Sequence, residues 1–165
     1  PYLGHLDRIE IHYAAADGAP GAANVVRPLY HVAWLAARLG MSVVTPVQAA
    51  TQAWGGYEAL LRHGRRRVHV SLRPMESTAP RGTTLMVELR ASRARSQLWV
   101  EVTAYTDGVV VQAELNGDSM PERRFIAPRR READLLAATI DAAGSDAMSS
   151  EILAMTARLL APPAS

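Results

Sequence analysis

The sequence predicts an α+β domain: a mostly antiparallel β-meander of about six strands, joined to an N-terminal strand–helix unit, with helices packed on one sheet face. Three observations predict it. Apolar residues alternate with polar ones through most of the stretch from Tyr57 to Ile126, the period of a strand with one buried face. The turn dipeptides Asp107-Gly108 and Asn116-Gly117 punctuate the later runs, and both supply the positive φ angles that tight hairpins need. Helical periodicity falls before and after this stretch.

Taken in order, Leu6 to Tyr13 alternates as a strand, with Ile9, Ile11 and Tyr13 on one side and Arg8, Glu10 and His12 on the other. After a turn-rich loop, Asn24 can cap a helix that runs to about Leu39 and stops at Gly40. Its polar strip is narrow, only Arg27, His31 and Arg38, so it reads as buried on more than one side. Ser42 to Thr45 reads as a short strand that Pro46 ends, giving a βαβ-like start. The meander places Val68, Val70 and Leu72, then Leu85, Val87 and Leu89, then Leu98, Val100 and Val102, then Val109, Val111 and Ala113 on one face. Its last strand, Glu122 to Ala127, stops at Pro128. Two helices follow: Arg131 to Ala143, closed by Gly144, and one capped by Ser149 or Ser150 that carries Ile152, Met155, Leu159 and Leu160.

The 165 residues read as one domain with room for a real core. The opening residue, Pro1, reads as that of a piece of a longer protein. No apolar run approaches the roughly 18–20 residues of a membrane span. With no cysteine in the chain, disulfides and thiolate chemistry are excluded, and a reducing cytoplasm fits. All 18 basic side chains are arginine, but the net charge is only +2. That balance argues against nucleic acid as a partner.

No HExxH, GxSxG, GxGxxG or Walker pattern occurs, and the five histidines lack metal-ligand spacing. Glu88 with Arg90 and Glu101 reads as surface ion pairing rather than an acid/base pair. The outer sheet face carries four candidates for a partner interface, Met86, Trp99, Tyr105 and Val110, apolar side chains set among charges. The plainer reading is ordinary cross-strand packing. Three arginine groups fall at turns and strand ends: Arg62, Arg65, Arg66 and Arg67; Arg90, Arg93 and Arg95; and Arg123, Arg124 and Arg129 to Arg131. They make an arginine-rich nucleic-acid or polyanion-binding domain the alternative function. A pocket between the Asn24 helix and the sheet, binding a metabolite, is a third reading.

Several stretches resemble the C-terminal part of the OpcA family of glucose-6-phosphate dehydrogenase assembly proteins. These are the opening PYLGHLDRIEIHY, the helix end WLAARLG, the strands RRRVHVSLRP and LMVELRAS, and the late segment APRRREADLLAATIDAAGSD. Family helices often continue from RLG into tryptophan, where this chain has Met41. The resemblance implies a non-catalytic assembly factor or allosteric activator with no cofactor and no metal. Its partner would be glucose-6-phosphate dehydrogenase, and the family's N-terminal domain, which this chain lacks, would be a second contact. It carries over no catalytic residue.

Overall fold

The computed structural model of the protein describes residues 2–15, 24–51, 55–126 and 147–161. A single 3-10 turn, Leu3–His5, leads into β1 (Leu6–Ala15). Helix α1 (Val26–Arg38) and strands β2 (Ser42–Ala49), β3 (Tyr57–His63) and β4 (Arg66–Glu76) follow. Then come β5 (Thr84–Arg93), β6 (Ser96–Ala104), β7 (Gly108–Leu115), β8 (Asp118–Ser119), β9 (Arg123–Ile126) and a last helix, α2 (Ala147–Leu160).

The expected meander with helices on one face is not what forms. The sheet has nine strands in the order β2-β3-β4-β1-β5-β6-β7-β8, with β9 also on β7, and it is mixed. The first strand, read as part of a separate N-terminal unit, enters the middle of the sheet. It runs parallel to β4, with Arg8 opposite His69, and antiparallel to β5, with Ile9 opposite Leu89. The physical reason is burial: Ile9, Ile11 and Tyr13 are fully buried, and a central strand buries such side chains better than an edge strand does. The helices meet each other chiefly, and α2 reaches the edge strand β2, while α1 touches β1 and β4 only narrowly.

The core joins Ile9, Ile11 and Tyr13 to Leu61, Val68, Val70 and Leu72, to Leu29, Val32, Ala33 and Ala36 of α1, and to Ile152, Met155 and Leu159 of α2. Among the described residues the hydroxyl of Tyr13 has no hydrogen-bond partner. Burial, with Tyr57 nearby, pushes its pKa up to about 12, so it stays a neutral phenol.

Local chemistry explains the boundaries. Asn24 accepts a hydrogen bond from the amide of Val26 at 3.0 Å, just ahead of α1. At the other end Met41 N–H donates to Ala36 and Gly40 N–H to Ala37, the paired closure that ends a helix. Helix α1 is not wrapped on all sides, because Tyr30 and Trp34 are about 40% exposed. Strand β2 runs through Pro46 instead of ending there. Among the described strands it pairs only with β3, antiparallel, and its register shifts on either side of Thr45. Because β3 is antiparallel to β4 and β4 is parallel to β1, β2 runs parallel to β1, so β1–α1–β2 is a βαβ-like crossover with β4 and β3 between its strands. An edge strand tolerates the missing amide. Asn116 and Gly117 both hold positive φ, +58° and +87°, as a two-residue hairpin turn requires. Asp107 and Gly108 do not, and that turn closes instead through Tyr105 N–H donating to Gly108 O at 2.8 Å. Helix α2 begins at Ala147, ahead of both serines, with Leu160 exposed. The predicted helix Arg131 to Ala143 lies outside the described residues.

Candidate functional site

Strand register organises the sheet's polar face into rows. The middle row runs Glu58, Ser71, Glu10, Glu88, Glu101 and Gln112 across β3, β4, β1, β5, β6 and β7. Three glutamates therefore stand directly opposite one another on neighbouring strands, an arrangement that repels. Two of them are also hidden: Glu10 is 6% and Glu88 9% exposed. A buried carboxylate must be paired, and these are. Glu10 lies 2.8 Å from His12 Nε2 and 2.9 Å from Arg73 Nε. Arg90 Nε donates to Glu88 at 2.6 Å, Trp99 bonds the same carboxylate, and Thr103 donates to Glu101 at 2.8 Å.

The Arg90–Glu88 pair read from sequence thus forms, with the carboxylate of Glu88 buried and the side chain of Arg90 exposed. Sequence alternation missed Glu10, Arg73 and His12 as its neighbours. The signal was the charged outer face of β1, and only the strand order places it beside Glu88.

Burial pulls the pKa of Glu88 upward, but hydrogen bonds from Arg90 and Trp99 and the nearby positive charge outweigh it and hold it below the ordinary 4.5. Glu88 is therefore a fixed anion at neutral pH and not a proton donor. A depressed carboxylate adds stability above its unfolded pKa and loses it as the pH falls through the folded value. The stability gap between wild type and Glu88→Gln, read from thermal melts, should be widest above about pH 4.5 and shrink below it. A gap independent of pH would refute this account.

Met86, Thr103 and Val110 form one row beside the carboxylates. Trp99 lies on the other side, between Arg90 and Glu114. It lines an open depression of about 590 Å³ with Asp7, Glu88, Arg90, Gln97 and Glu114. Tyr105 falls past the end of β6 and is 55% exposed. With Val110, Arg124 and Phe125 it borders a smaller depression of about 270 Å³. The structure thus brings Met86 and Val110 into one row, puts Tyr105 beside Val110, and sets Trp99 apart behind Glu101. On the opposite face, His31 and Trp34 of α1 border an apolar groove of about 390 Å³ with Leu85, Val87, Leu89 and Val102. His31 Nδ1 sits 2.9 Å from Thr84 Oγ1, and burial, then Arg27, lowers its pKa.

Among the described residues no three His, Asp or Glu side chains group to hold a metal ion, and no helix is long and apolar enough to cross a membrane.

No family model matches the chain, and no curated protein matches its sequence. Solved structures are similar to it, one of them closely enough to share its fold. A 3-ketoreductase from Actinomadura kijaniata, solved with TDP-benzene and NADP, superposes on 94% of this chain and 50% of its own, at 14% identity and a TM-score of 0.51. At that identity the likeness concerns the fold alone. A dehydrogenase from Clostridium difficile (11% identity, TM-score 0.44, 94% of this chain and 53% of its own) matches more loosely. So does the transcriptional regulator Gal80p from Kluyveromyces lactis (12%, 0.38, 96% and 46%). The chain spans about half the length of the solved structures it matches.

Proposed function

We propose that this domain is a non-catalytic assembly factor or allosteric activator of glucose-6-phosphate dehydrogenase, working in the cytoplasm through the polar face of its sheet. The sequence resemblance supports the choice of partner. The observation that carries the mode of action is the state of the carboxylates. Glu10, Glu88 and Glu101 already have partners within the domain. A docking surface therefore need not neutralise them, and Met86, Val110 and Trp99 remain half-exposed on either side. Apolar side chains set among satisfied charges are what a partner surface can cover without stranding a buried charge. Activation then needs only that the domain bind the active form of the enzyme better than the inactive form.

The test is dehydrogenase specific activity and oligomer size with and without this chain. The wild type should raise activity and co-elute with the enzyme. Met86→Asp or Trp99→Ala should weaken the complex about tenfold or more, with Met86→Asp leaving the melting temperature nearly unchanged. No co-elution with the wild type would defeat the proposal, and full binding by both variants would move the contact off this face.

A further inference from the structure

The insertion of β1 has a second effect at one end of the sheet. Because β1 runs parallel to β4 and antiparallel to β5, the β3–β4 turn and the β5–β6 turn emerge side by side, flanking the start of β1. Two of the arginine groups that lie apart in sequence are thereby joined. Arg66 Nη1 donates to the carbonyl of Ser92 at 3.0 Å, tying one turn to the other. Around that link Arg62, Arg65, Arg67, Arg93 and Arg95 are all exposed.

Arg62 and Arg67 are direct cross-strand partners, and like charges so placed repel. The acidic row lies farther along the sheet and is already matched by Arg73, His12 and Arg90. None of the five exposed arginines has an ion pair or hydrogen bond to a described residue. Nearby, burial first, then Arg66 and Arg93, lowers the pKa of His5.

We propose that this end of the sheet is a docking surface for a carboxylate-rich segment of another protein. Guanidinium groups match carboxylates in bidentate geometry. An arriving acidic segment would also relieve the Arg62–Arg67 repulsion, which no described group does. A nucleic acid fits less well, because neither turn carries a Phe, Tyr or Trp side chain on which a base could stack. The proposal stands independently of the dehydrogenase reading, since it concerns a different surface and chemistry.

The test uses the full chain and two probes, labelled poly-L-glutamate and a labelled DNA duplex, followed by fluorescence anisotropy at low and physiological salt. Wild type should bind poly-L-glutamate with an affinity that falls with salt. The variant Arg62→Ser/Arg65→Ser/Arg93→Ser/Arg95→Ser should bind it about tenfold more weakly or less. All four positions are exposed, so the variant should fold, and Arg62→Ser alone should raise the melting temperature slightly by relieving the repulsion. Failure of the wild type to bind poly-L-glutamate, or undiminished binding by the variant, overturns the proposal. A preference for DNA that the variant abolishes would also overturn it and assign the surface to nucleic acid.

Discussion

Ile11→Ala is expected to destabilise the domain by about 2–5 kcal/mol, with a fall in melting temperature on the order of 10 °C. Ile11 is fully buried in the central strand, between Leu72 of β4 and Val87 of β5. Truncation there removes the transfer energy of its methyl groups and leaves a cavity that a strand fixed on both sides cannot collapse to fill. Val44→Ala makes the contrasting control. Val44 is 47% exposed on edge strand β2, and its loss should change stability by only about 0.5 kcal/mol. Equal losses at the two sites, measured by denaturant unfolding, would show that β1 is not the central strand.

Gly82→Ala should be nearly as damaging, at roughly 3 kcal/mol or more. Two effects add. Gly82 holds φ +80°, and an added Cβ would lie 2.1 Å from the carbonyl oxygen of Asn24. The backbone there has little freedom to yield, since Gly82 N–H donates to Ala14 and Ala14 N–H to Thr83, both at 2.8 Å. The collision falls on the residue that leads into α1, so helical signal should fall with stability. Gly64→Ala separates the two effects. It has φ +59° with nothing within 4 Å of the new Cβ, so it should show only the conformational strain, about 1–2 kcal/mol. Matching melting temperatures for the two variants would mean that the contact with Asn24 contributes nothing.

Strand positions were legible because period-two alternation is local: Val68, Val70 and Leu72 lie on the buried face where alternation puts them. Strand order was not legible. The pattern of Leu6 to Tyr13 says that one face is apolar, but not which two strands lie beside it. Both neighbours are distant in sequence, and no hairpin dipeptide points to them. The candidate face inherited the same gap. Met86, Trp99 and Val110 sit on strands of that face, while the Glu10–Glu88 opposition depends wholly on where β1 goes. Tyr105 was counted one step too far along β6, since alternation does not announce where a strand gives way to its turn. The βαβ-like start forms, since β2 runs parallel to β1, but its second strand does not stop at Pro46, which reads as a stop in a central strand and is tolerated at an edge.

The placement of β1 also dictates an order of events. Its partners, His69 and Leu89 among them, belong to two hairpin units, β2–β3–β4 and β5–β6–β7, whose own pairings are mostly between neighbours in sequence. Those units can form early, because their loops are short. Strand β1, made before either unit, must wait until both exist, then close two long loops at once, which is entropically the slow step. Until it does, β4 and β5 each present an unpaired edge with an apolar face, the combination most prone to pairing with another chain. A sheet built this way runs its greatest risk of misassembly late, with its other described strands already in place.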